Sequence, residues 1–143
     1  MATQTSNNEF KYEHVFNGKP LSEWVNLVHK EFSIHSGWNY YPLKPGMFGF
    51  DNMAMSIGYV LRAFDASEEC MTDIKVAELV HDGWVANYTY WREHKPGHPY
   101  IPPAKPLGDE RRNLCASTIF KDLPQEEKDK DLIIARFLLG SKN

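Results

Sequence analysis

Four stretches of this chain carry apolar residues at the spacing of an amphipathic helix, and two loops rich in proline and aromatic residues interrupt them. A helix with one apolar stripe must bury it against another element. The pattern therefore predicts a mainly α fold made of helix–loop–helix units, with short strand-like segments in the loops. From Pro20, the residues Leu21, Trp24, Val25, Val28 and Phe32 share one face, and Ser36-Gly37 ends the run. The segment WNYYPLKPGMFGF (38–50) reads as a loop or a short irregular hairpin. Asp51 reads as the cap of a second helix, in which Met53, Ile57, Val60, Leu61 and Phe64 align. Thr72 caps a third helix running to about Trp91, with a stripe of Ile74, Ala77, His81, Trp84, Val85 and Tyr88. The loop HKPGHPYIPPAKPLGDERRN (94–113) follows; loops of that length in small domains are often functional. In the last helix Asp122 and Gln125 have capping-box spacing and Pro124 sits in the first turn. Leu132, Ile133, Ile134, Phe137, Leu138 and Leu139 supply its core, and Gly140 ends it.

The two halves share a plan. Leu27-Val28-His29 recurs as Leu79-Val80-His81, each with an aromatic three residues after the histidine, Phe32 or Trp84. Lys44-Pro45-Gly46 recurs as Lys95-Pro96-Gly97, and the pairs Tyr40-Tyr41 and Tyr90-Trp91 precede them. The chain then divides into a flexible N-terminus (1–9), a helical N-terminal half (10–70) and a second unit (71–143), with the two halves readable as pseudo-symmetric repeats.

At 143 residues the length suits one domain. The net charge of −3 argues against a polycation for duplex DNA. No apolar run approaches the roughly 20 residues that cross a bilayer, and MATQTSNNEF lacks the apolar centre of a signal peptide. With only Cys70 and Cys115, a disulfide framework is not expected, and the reading is cytoplasmic.

Signals for catalysis are weak. There is no Gly-x-Ser-x-Gly elbow, no Walker-type loop and no Gly-x-Gly-x-x-Gly. His94 and His98 have a spacing that could reach one zinc on a helix, but Pro96-Gly97 breaks that helix, so no metal is expected. His29 and His81, inside apolar stripes, read as packed histidines with a backbone partner. Cys115 reads as a small buried residue, and Trp84 as core. The expectation is a non-enzymatic protein without a cofactor.

A different cluster points to binding. Tyr88, Tyr90 and Trp91 offer stacking faces, Arg92, Arg111 and Arg112 offer planar forks for phosphate, and Asn87 and Asn113 can read polar edges. That combination suits a nucleotide or other planar anion, or a single-stranded nucleic acid. A single small chain offers little concave surface, so a ligand at the interface of a homo-oligomer also fits. The alternative is a protein–protein adaptor whose Pro-rich loop (101–106) and nearby aromatics form the contact surface.

Residues 76–139 resemble the ryanodine-receptor repeat (RyR) domain. The resemblance rests on Val80-His81-Asp82-Gly83-Trp84, on the Pro-rich loop after it, and on Leu123-Pro124-Gln125-Glu126-Glu127-Lys128-Asp129-Lys130-Asp131 opening the last helix. The family's Gly-Trp-x-Tyr-Gly turn stands here as Tyr88-Thr89-Tyr90-Trp91, and its Asp-Arg pair as Asp131-Leu132. The resemblance implies an α-dominated fold with no established catalytic chemistry. It also implies an interaction or nucleotide-sensing module, in bacteria and their viruses one that accompanies signalling and defence genes. A free-standing chain of this type would sense or sequester a nucleotide signal, such as a cyclic nucleotide.

Overall fold

A computed structural model describes residues 15–45, 48–66, 71–94 and 112–141. Among these the fold is mainly helical. Strands β1 (Val15–Phe16) and β2 (Lys19–Pro20) form a hairpin ahead of α1 (Leu21–Ser36), α2 (Phe48–Ala66) and α3 (Asp73–His94). A short helix α4 over 112–116 and a 3-10 turn (Phe120–Asp122) lead into α5 (Gln125–Ser141). The long helices close a ring: α1 packs on α2 and α5, and α3 packs on the same two. One core fills the ring, from Leu21, Val25 and Val28 through Ile57 and Val60 to Val76, Val80, Ala135 and Leu138.

The hairpin comes from Asn17-Gly18, both at positive φ (48° and 83°), the conformation of a type I′ turn. Two-residue strands are too short to show alternation, so no strand signal marks this segment. Asn17 Nδ2 donates to the carbonyl of Ser141 (2.9 Å), which satisfies one orphan carbonyl at the end of α5. The helix therefore runs one residue past Gly140, which does not stop it.

α1 begins and ends as its sequence predicts. Pro20 is its N-cap residue, and Gly37, at φ 74°, closes it in the left-handed conformation. Gly37 N–H donates to Ile34 O (3.3 Å) and Trp38 N–H to Ser33 O (2.9 Å), the paired bonds of a Schellman motif. Thr72 caps α3 as expected, its Oγ1 accepting from the N–H of Lys75 (3.1 Å).

Three other expectations are corrected. α2 starts at Phe48, inside the stretch expected to be loop, and Asp51 lies within its first turn rather than capping it. The earlier start carries Phe50 into the core, where it is fully buried. Asp122 belongs to the 3-10 turn, and Leu123, buried, separates that turn from α5. The buried face of α3 is wider than the expected stripe: Ala77, His81 and Tyr88 are buried as expected, Ile74 is exposed, and Val76, Val80, Gly83, Asn87 and Trp91 also face inward. α3 is covered on two sides, by α2 and by α5, so one amphipathic stripe understates its buried face.

Gly83 permits a close crossing of α2 and α3. A Cβ there would stand 2.6 Å from Ser56 Cα and 2.7 Å from Met55 O, so α2 backbone lies directly against it. Ser56 Oγ donates across the same crossing to Val80 O (3.0 Å). The short connection between the two helices permits only an antiparallel pairing. One turn away from the crossing, α2 therefore carries Asn52 and α3 carries Asn87.

Candidate functional site

The ring of helices leaves a cavity of about 240 Å³ on the side where both Leu-Val-His segments converge. α1 contributes His29 and Phe32; α3 contributes His81 and Trp84, so each copy of the repeated motif supplies its histidine and its aromatic. Trp38, placed by the Schellman turn, stands 5.5 Å from Phe32, ring to ring, and is 59% exposed at the rim. Trp84 stacks between His81 (6.2 Å) and Tyr88 (5.1 Å). It is half-buried and lines the cavity, which corrects its reading as core.

The polar lining divides in two. α5 brings Glu127, Lys130 and Asp131, and α4 brings Arg112. Lys130 Nζ pairs with Glu127 Oε1 at 3.2 Å and reaches into solvent. Asp131 is largely buried beside Glu127, and its carboxyl is pushed up to about 8, first by loss of water and then by the Glu127 charge, against the pull of Lys130. It is therefore a neutral acid at pH 7. Its neighbour His81 bonds Thr118 O through Nε2 (2.7 Å), so that nitrogen carries the hydrogen. Nδ1 of His81 faces Asp131 Oδ2 at 3.7 Å, beyond hydrogen-bond distance.

The opposite lining is unfinished. His29 is buried, and desolvation lowers its pKa, partly opposed by a bond to the backbone of Tyr41. Tyr40 and Tyr41 flank its ring at 5.6 and 5.4 Å. Asn26 holds that loop in place: its amide donates to Leu43 O (3.0 Å) and accepts from Leu43 N–H (2.7 Å). Nε2 of His29 and Oδ1 of Asn52, both buried and both on residues lining the cavity, have no hydrogen-bond partner among the described residues. Buried polar atoms in native proteins are paired with protein, water or ligand in the great majority of cases.

The residues expected to bind are partly dispersed. Arg112 lines the cavity. Asn113 accepts a hydrogen bond from the Tyr88 hydroxyl (3.1 Å), close behind Trp84. Tyr88, Asn87 and Trp91 are buried within the bundle, and Tyr90 is half-buried. A ring that is fully covered has no free face, and Trp84 already stacks between His81 and Tyr88, so stacking passes from Trp91 to the exposed Trp38. The side chain of Arg92, and Arg111 with the loop 95–111, lie outside the described residues, as do His98 and residues 1–9. His29, His81, Trp38, Asn52 and Asp131 were missed as site residues. The repeated Leu-Val-His was the one signal that could have joined the two histidines.

Among the described residues no group of three or more His, Cys, Asp or Glu side chains could hold a metal ion. None of the described helices is long and apolar enough to cross a membrane. Compared with protein families, with curated proteins and with solved structures, the chain gave no match.

Proposed function

We propose that this protein is a non-enzymatic binding protein for a nucleotide-like anion, such as a cyclic nucleotide signal, and that the interhelical cavity is its site. The observation that carries the reading is a cavity with aromatic walls, two of whose lining residues, His29 and Asn52, each hold a buried polar atom without a partner among the described residues. A planar base fits between such walls with its polar edge toward those atoms. About 240 Å³ is below the roughly 300–1,000 Å³ of pockets that enclose drug-sized ligands. A base would enter while sugar and phosphate stay at the mouth, within reach of Arg112 and Lys130. The resemblance of residues 76–139 to the RyR domain supports the same class of function, and a role in phage or bacterial defence signalling follows from it by analogy. A chain with only two cysteines suits a reducing, cytoplasmic setting.

Calorimetric titration with a panel of mononucleotides and cyclic nucleotides tests the proposal. Saturable binding with the ligand recovered intact supports it. Arg112→Ala should weaken that binding about tenfold to hundredfold, the worth of a charge-assisted bond to phosphate. Recovery of degraded ligand would make the protein an enzyme, and failure of the whole panel to bind would end the nucleotide reading.

A further inference from the structure

We infer that the bound anion is held in part by a hydrogen on Asp131, so that the cavity releases its ligand when this carboxyl ionises. This rests on the cavity being a nucleotide site, and it adds a control on that same site.

Glu127 and Asp131 lie one helical turn apart on α5, so they share a face, and both line the cavity. Lys130 bonds the first of them, Nζ to Glu127 Oε1 at 3.2 Å. The nearest nitrogen printed for Asp131 is a different one: His81 Nδ1, 3.7 Å from Oδ2 and beyond hydrogen-bond distance, on a ring whose Nε2 is engaged by Thr118 O. The Asp131 side chain is 15% exposed, which takes most of it out of water and leaves part of it open. Two carboxyl groups on one poorly hydrated wall, with the lysine bonded to only one, resist ionising together, and the other keeps its hydrogen. Loss of water, and then the Glu127 charge, push Asp131 up to about 8 in accord with that arrangement. The other charged or titratable side chains on the cavity wall, among the described residues, are His29 from α1, His81 from α3 and Arg112 from α4; α2 brings the uncharged Asn52, Met53 and Ser56.

The two states of this carboxyl treat an anion in opposite ways. The neutral acid has an O–H to give, and an O–H donated to a phosphate oxygen is a short, charge-assisted bond. A carboxylic acid held neutral in a dry site can serve as such a donor. Once ionised, the same group only accepts, and it sets a second negative charge beside Glu127 against the ligand. Arg112 and Lys130 draw the anion to the mouth, and the hydrogen on Asp131 decides whether it stays.

The test is calorimetric titration of the full chain with the 3′,5′-cyclic monophosphates of adenosine, guanosine, cytidine and uridine, phosphodiesters whose phosphate charge is constant across the range used. Between about pH 7 and about pH 9 the affinity of the probe that binds should fall about tenfold, with the fold verified by circular dichroism at both. At about pH 9, wild-type titrations in two buffers of different ionisation enthalpy should count about one proton taken up per ligand bound. Asp131→Asn keeps a donor and cannot ionise, so it should bind at neutral pH within about threefold of wild type and hold that affinity to about pH 9. Asp131→Leu has no donor and should bind about tenfold more weakly at both. A wild-type affinity that does not change with pH, or binding without proton uptake, would overturn the inference and leave the nucleotide site standing. A fall with pH that persists in Asp131→Asn would overturn it by placing the titrating group elsewhere. Failure of every probe to bind would overturn the inference together with the reading beneath it.

Discussion

The two Leu-Val-His segments begin alike and end in different roles. In both, the valine is core and the histidine is buried: Val28 and His29 on α1, Val80 and His81 on α3. Two residues beyond the histidine they part. α1 has Glu31, which turns outward and meets His35 Nε2 at 3.0 Å. α3 has Gly83, whose missing side chain lets α2 backbone close upon it. The histidines differ in the same sense. His81 bonds Thr118 O through Nε2, and its Nδ1 stands 3.7 Å from Asp131 Oδ2. His29 has its Nε2 buried without a hydrogen-bond partner among the described residues, in a residue that lines the cavity. The α3 copy joins helices together, and the α1 copy leaves an edge open for something else.

The largest expected effect breaks the α3 side. Gly83→Ala sets a methyl group against α2 backbone, which cannot move aside as a flexible side chain would. Denaturant unfolding should show a loss of about 3 kcal/mol, the upper range for overpacking a tight core. Glu31→Ala, at the matching place on α1, should change stability by no more than about 0.5 kcal/mol. Equal effects would mean that the crossing at Gly83 is looser than its geometry states.

The next effect separates the histidines. His81→Phe removes the donor to Thr118 O and should cost about 1–3 kcal/mol. His29→Phe loses the bond to Tyr41 but also removes a buried atom that has no partner. The two changes oppose each other, so its cost should stay below about 1 kcal/mol. Thermal melts of the two variants side by side decide this, and a larger loss for His29→Phe would reverse the assignment of roles.

A third difference is read in pH. The carboxyl of Asp131 moves from an ordinary value of 3.8 to about 8 on folding, so the folded chain holds a proton that the unfolded chain releases. Stability from this group is full below about pH 4 and is lost as pH rises toward 8. Asp131→Asn keeps the shape and has no proton to lose. Measured by thermal melting, the variant should match the wild type at low pH and gain on it steadily up to about pH 8. A gap that does not change with pH would mean that Asp131 is ionised in the fold.

Much of the fold was legible because local chemistry decides it. Gly37 needs the left-handed conformation, Thr72 offers a cap, and the apolar runs of α1, α2 and α5 place Val25, Ile57 and Leu138 in the core. The α3 stripe holds at Ala77, His81 and Tyr88, but glycine and asparagine carry no apolar signal, so the burial of Gly83 and Asn87 against neighbouring helices is not legible in a hydrophobic period. The site was legible only in part. Aromatic and arginine content pointed to α3 and the residues after the Pro-rich loop, and Arg112 does reach the cavity. Asn52 and His29 carry no local mark of function. They matter because packing brings α1 and α2 to one space and leaves two of their atoms without partners, and only the assembled helices contain that information.

The most direct test of the open histidine is the imidazole nitrogen spectrum of His29 by NMR, recorded for the free protein and with adenosine monophosphate added to saturation. At neutral pH the free protein should show an Nε2 without a hydrogen-bond partner. Added nucleotide should shift the Nε2 resonance toward that of a hydrogen-bonded nitrogen while the two nitrogens of His81 stay where they were. A His29 spectrum that the nucleotide leaves unchanged would contradict the account.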